Sequence, residues 1–201
     1  MNARASAILR VLWSTGAPVS HVVAFAVLAV AWQSFFWNPA LSLSIKIAFF
    51  GLTALAAWRP IDGLLAAAAL CILGNPLAAL LGATPDTGAE AIAISFLVGW
   101  MGRSIWRREA LIDVTDRLQL VALAFAATAV VSLVVTTAIE QVRWGPAQAY
   151  FAVLARAFWR EYLVQLHTDL HHVHAALLIL ECALLVSAVL QLSRMSTGLA
   201  M

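Results

Sequence analysis

Charge is scarce in this chain: 11% of its 201 residues are Asp, Glu, Lys or Arg, while 63% are hydrophobic. Ordinary soluble domains carry about 25% charged residues and about half apolar ones, and the mean hydropathy of +0.92 lies far from that balance. This excludes a water-soluble globule, so the medium read from composition is lipid. Cysteine is nearly lacking, with only Cys71 and Cys182, both deep in apolar runs. That excludes a disulfide framework, and the two read as small apolar side chains. Absent too are a P-loop, a Rossmann glycine pattern, a nucleophile elbow and paired metal-binding cysteines, so no cofactor is expected. The net charge is only +2, and its pattern follows the ends of apolar runs, which is not a nucleic-acid footprint. No internal repeat or low-complexity tract interrupts the chain.

What is present in abundance is apolar sequence in blocks of bilayer-crossing length, since a crossing needs roughly 20 residues to traverse about 30 Å of hydrocarbon. The pattern predicts an all-α, polytopic membrane bundle of about six transmembrane helices in a single domain, with membrane lipid as its partner. Span 1 covers Val19 to Trp37, and Asn38-Pro39 turns the chain into span 2, Leu41 to Trp58. Arg4 and Arg10 precede span 1, but its end in Trp32, Phe35, Phe36 and Trp37 offers no small-residue cleavage site, so an uncut span is expected. Span 3 covers residues 61–82 and is interrupted by Gly74-Asn75-Pro76, where proline removes a backbone donor and predicts a kink. Span 4 covers residues 88–106, with Thr87 and Glu90 in capping-box spacing at its start. Spans 5 and 6 cover residues 118–139 and 172–192, separated by an outer segment, 140–171.

Loops assigned alternately to the two faces gather Arg4, Arg10, Arg59, Arg103, Arg107, Arg108, Arg117 and Arg194 on one side, against Arg143, Arg156 and Arg160 on the other. By the positive-inside rule both termini are then expected to be cytoplasmic. Lys46 lies within span 2 near its outer end, close enough to snorkel outward. Trp37, Trp58, Trp106 and Trp144 fall at span ends, where indoles prefer to sit.

In the outer segment Phe151, Leu154, Phe158 and Tyr162 recur at helical spacing, with Arg156, Arg160 and Glu161 on other faces. This predicts an interfacial amphipathic helix, with Arg156 and Arg160 as candidate contacts to lipid phosphates; the plainer reading is a solvated connector between spans 5 and 6. Four of the five histidines follow, in His167-Thr168-Asp169-Leu170-His171-His172-Val173-His174. On a continuous helix His167, His171 and His174 share a face and offer imidazoles at metal-ligand spacing. The sequence lacks the glutamate of the zinc-protease motif and a second-helix partner for haem, so these histidines read first as polar residues at the mouth of span 6, with no metal expected.

Glu181 lies near the middle of span 6, where a carboxylate costs on the order of 3 kcal/mol on insertion scales and must face the bundle interior. His171, His174 and Glu181 thus form a candidate polar stripe running inward, and Lys46 and Asn75 are candidate partners for Glu181. The alternative is a protonated Glu181 hydrogen-bonded for packing alone. The Gly74-Asn75-Pro76 break either opens backbone groups to a cavity or is a packing kink.

The order of Trp58-Arg59-Pro60-Ile61-Asp62-Gly63-Leu64, Gly74-Asn75-Pro76-Leu77, then Glu90 leading into Phe96-Leu97-Val98-Gly99-Trp100 and Arg103, resembles the front half of bacterial O-antigen ligase-like membrane proteins. The stretch from His172 through Leu180-Glu181 to Leu192 resembles a later span of such proteins. The resemblance implies a polytopic inner-membrane protein acting on undecaprenyl diphosphate-linked glycan at the periplasmic face, without a nucleotide-sugar donor. Members of that family have about twice as many spans, and the large periplasmic loop that holds their catalytic arginines and histidine has no match in this sequence. No catalytic residue is carried over, and the expectation is an amino-terminal piece or a degenerate relative. Two other classes stay open: a small transporter or channel subunit using the kinked span and the Glu181 stripe, and a non-catalytic membrane assembly protein.

Overall fold

The computed structural model describes residues 21–34, 42–72, 85–107, 116–143, 152–155 and 171–198, and these form seven helices with no strand among them. In chain order they are α1 (His21–Ser34), α2 (Leu43–Trp58), α3 (Pro60–Ile72), α4 (Pro85–Arg107), α5 (Arg117–Arg143), α6 (152–155) and α7 (His171–Gly198). The all-α expectation holds. Two helices, α5 and α7, are long and apolar enough to cross a membrane, and α1, α2 and α3 are shorter apolar helices. At 1.5 Å per residue the 16 residues of α2 reach about 24 Å and the 13 of α3 about 20 Å.

Helix α4 is the axis of the bundle. From Gly88 to Met101 it is buried or half-buried on every face, enclosed by α2, α3 and α7, with Phe25 of α1 against Gly102. Phe96, Trp100, Ile92, Ile94, Leu97 and Met101 are its fully buried large side chains. Being internal, α4 also carries Glu90, Ser95, Arg103 and Ser104, which lowers its apolarity below that of α5 and α7. A helix wrapped by other helices meets protein rather than the surrounding medium, so it tolerates such groups when they find partners.

Close approach is made possible by glycine. A Cβ on Gly99 would lie 2.2 Å from the Thr53 carbonyl oxygen, and one on Gly63 2.6 Å from the Ala56 Cα. Gly63 and Gly99 thus press α3 and α4 onto the same point of α2, Ala56, which is fully buried. The Thr53 hydroxyl lies 3.0 Å from both Phe49 O and Ser95 O and donates to one at a time, adding a polar link between α2 and α4.

Contacts also fix the helix directions. Thr53 meets Ser95 and, further along both helices, Arg103 Nη1 donates to Trp58 O at 2.8 Å, so α2 and α4 run in the same direction. His174 meets Glu90 and Gln191 meets Trp100, so α7 runs that way too. Helix α5 runs opposite to α7, since Asp116 at its start bonds Arg194 near the end of α7. One end of the bundle therefore collects Arg59, Arg103, Arg107, Arg117 and Arg194, and the other collects Lys46, Glu90, Glu140, Arg143 and the histidines of α7. These are called the arginine end and the histidine end below.

The surface is inverted relative to a soluble fold. Helix α5 packs chiefly against α7 and leaves Val121, Phe125, Val131, Val134, Val135 and Ile139 exposed, while Glu90, Ser95, Gln119, His174, Glu181 and Ser187 are buried.

Several boundaries differ from expectation. Ser42 is extended, so α2 starts at Leu43 rather than Leu41. Helix α5 continues to Arg143, four residues beyond Ile139, and α7 continues to Gly198. Helix α4 begins at Pro85, which places Thr87 inside the helix, so Thr87 and Glu90 are not a capping box. Proline supplies no amide hydrogen and fits the first helical turn, where none is required. The Gly74-Asn75-Pro76 break lies outside the described residues, as do most of the outer amphipathic segment and its Arg156 and Arg160; within that segment, residues 152–155 are helical.

Candidate functional site

Two apolar helices each present one ionisable residue to the other near the histidine end. Glu90 is the sixth residue of α4 and His174 the fourth of α7, so both lie in the first two turns of their helices. The Nε2 of His174 sits 2.8 Å from Oε2 of Glu90, with side-chain exposures of 11% and 2%. Such burial demands that the pair satisfy each other, because an isolated charge or polar group in a low-dielectric interior costs several kcal/mol. With Glu90 ionised, the imidazole donates through Nε2, and the carboxylate fixes both the tautomer and the ring orientation. A carboxylate-oriented imidazole can accept or release a proton at a defined place.

Seven residues further along α7, Glu181 is 2% exposed, about 10 Å deeper at 1.5 Å per residue and on the same helical face as His174. Ser187, about a third of a turn round α7 from that face, bonds the Ala183 carbonyl at 2.9 Å, and the Trp100 indole donates to Gln191 Oε1 at 3.0 Å near the far end. Polar contacts thus join α4 and α7 near both ends, Glu90 with His174 and Trp100 with Gln191.

The other sequence-derived candidates fall as follows. His171 is exposed, edge-on to His172 at 5.7 Å between ring centroids, so it does not share the buried face of His174. His167 lies outside the described residues, and among the described residues no three His, Cys, Asp or Glu side chains are grouped to hold a metal ion. Asn75, one of the partners considered for Glu181, is also outside them, and Lys46 is half-buried on α2 at the histidine end.

Glu90 as the partner of His174 was not foreseen. The signal was present, since an acid and a histidine buried in apolar helices must find partners, but local spacing assigned Glu90 to a cap instead. A second omission is Asp116, whose Oδ1 accepts the Leu118 amide at 2.8 Å and so caps α5, while its Oδ2 accepts Arg194 at 2.6 Å.

No protein-family model, curated protein or solved structure matches this chain.

Proposed function

We propose that this chain is an integral membrane protein of bacterial cell-surface glycan assembly, resembling the front half of an O-antigen ligase and contacting glycan carried on undecaprenyl diphosphate. It sits as about six spans in the inner membrane, with the arginine end and both termini cytoplasmic and the histidine end facing out. The observation that carries the reading is the Glu90–His174 bond. It joins the two stretches on which the resemblance rests, the one around Glu90 to Arg103 and the one from His172 to Leu192, across 84 residues of chain. Within the described residues of the front motif, Gly63, Gly99 and the Arg103–Trp58 bond all close the junction of α2, α3 and α4. These residues are scaffold, and nothing in them matches the catalytic loop of the family. The role proposed is therefore to hold the lipid-linked glycan, with transfer requiring arginines and a base supplied elsewhere.

Photo-crosslinking in membranes tests this: a diazirine-bearing polyprenyl diphosphate glycan is expected to label the full chain, competed by unlabelled lipid-linked glycan. Labelling no greater than that of an unrelated polytopic protein contradicts it.

A second reading is favoured by one feature, the alignment of His174 and Glu181 on the buried face of α7. As a proton-coupled transporter subunit, the protein would lose flux in proteoliposomes on Glu181→Gln while keeping its fold. Equal flux in the variant removes that reading.

A further inference from the structure

At the arginine end, five arginines of the described residues face two aspartates, and the pairing leaves some of the positive charge uncompensated. Arg194 bonds Asp116 at 2.6 Å, and Arg59 lies 3.5 Å from Asp62. Arg103 spends one guanidinium nitrogen on the Trp58 carbonyl, at 2.8 Å. Arg107 has no ion-pair partner among the described residues, and it projects one helical turn beyond Arg103 on the same face of α4.

Arg59 and Arg103 both meet Trp58, and Arg107 lies one turn further along α4. Because Arg103 holds the carbonyl of the Trp58–Arg59 peptide, its guanidinium is beside Arg59, whose own head lies 5.9 Å from the centroid of the Trp58 ring. Two of the three heads are held before any ligand arrives, Arg59 by Asp62 and Trp58, Arg103 by the end of α2. The Nε of Arg103 is buried with no partner among the described residues. The carbonyl end of α2 would repel an anion, and the bond from Arg103 offsets it. The same ends of α2 and α4 carry the two most exposed indoles of the described residues, Trp58 at 77% and Trp106 at 89%. Indoles of this kind prefer the depth of lipid headgroups, which sets the three cations at phosphate level.

We propose that Arg59, Arg103 and Arg107, flanked by Trp58 and Trp106, form a headgroup site for an anionic phospholipid of the leaflet at the arginine end. The site prefers phosphatidylglycerol over zwitterionic lipid because it presents more positive charge than one phosphodiester neutralises. It rests on the bilayer reading, which the extraction experiment below tests independently of lipid choice.

The experiment is native mass spectrometry of the full chain in detergent with equal amounts of phosphatidylglycerol and phosphatidylcholine. Phosphatidylglycerol is expected to be retained preferentially. Arg59→Gln with Arg107→Gln is expected to weaken that retention about 25-fold, at about five-fold for each basic residue near an anionic headgroup. Arg143→Gln, at the histidine end, is expected to leave it unchanged. Equal retention of the two lipids, or an equal loss in Arg143→Gln, overturns the proposal. Displacement of the lipid by millimolar inorganic phosphate also overturns it, by showing a site for the free ion.

Discussion

A histidine and a glutamate buried between two apolar helices are worth little to each other unless both are present. Removing one partner of such a pair is strongly destabilising, by about 3–5 kcal/mol, because the other is left buried without its bond. Glu90→Ala and His174→Ala are each expected to lose stability on that scale in reversible unfolding in detergent. The double variant is expected to lose less than the sum by about 0.5–3 kcal/mol, the range for side chains in contact. Strictly additive losses would show that the two side chains do not act together. At this scale the sequence was half legible. His174 and Glu181 stand out as polar residues inside an apolar run, and their seven-residue spacing places them on one face. The partner of His174 did not stand out, because local periodicity carries no information about a residue 84 positions away. Glu90 was further obscured by Thr87, which offers a local role that the actual start of α4 at Pro85 removes.

Helix packing is decided by a few small residues. A methyl on Gly99 meets the backbone of α2 at 2.2 Å, and backbone cannot rotate away as a side chain can. Gly99→Ala is therefore expected to destabilise by about 1–3 kcal/mol, the cost of overpacking a tight core. Gly51 on α2 has nothing within 4 Å of such a methyl, so Gly51→Ala is expected to be neutral or to stabilise by about 0.5–1 kcal/mol through helix propensity. Thermal unfolding of both variants checks the pair, and equal effects at the two positions would contradict the packing described. The positions of α1 to α5 and α7 were legible because each is an apolar block bounded by arginine, proline or tryptophan. Their ends were less so. Helix α5 runs on through Glu140 and Arg143, which bond each other at 3.2 Å three residues apart, a pairing that helix geometry itself creates. Its start is marked by Asp116, a cap that lay in view just ahead of the apolar run.

The described residues make a bundle that is largely apolar outside and sparingly polar within. Val131 lies near the middle of α5 and is 63% exposed. In water an arginine there would be close to neutral, whereas in hydrocarbon it costs about 2.5–3.5 kcal/mol of insertion free energy. Val131→Arg is expected to reduce membrane insertion of α5 in a glycosylation-mapping assay, and insertion equal to wild type would count against a lipid-facing α5. The gathering of the arginines at one end was also legible, because orientation follows Lys and Arg near span ends and the alternation of helix directions does the rest. What the sequence could not convey is that α4, the described helix with the most charged residues on it, is the one enclosed by the others. Every statement about the pair, the stripe and the headgroup site presupposes that the medium around α5 and α7 is hydrocarbon. Alkaline carbonate extraction of cells expressing the full chain, followed by ultracentrifugation, tests this most directly. The protein is predicted to stay wholly in the pellet and to be released only by detergent; its recovery in the carbonate supernatant would contradict the account.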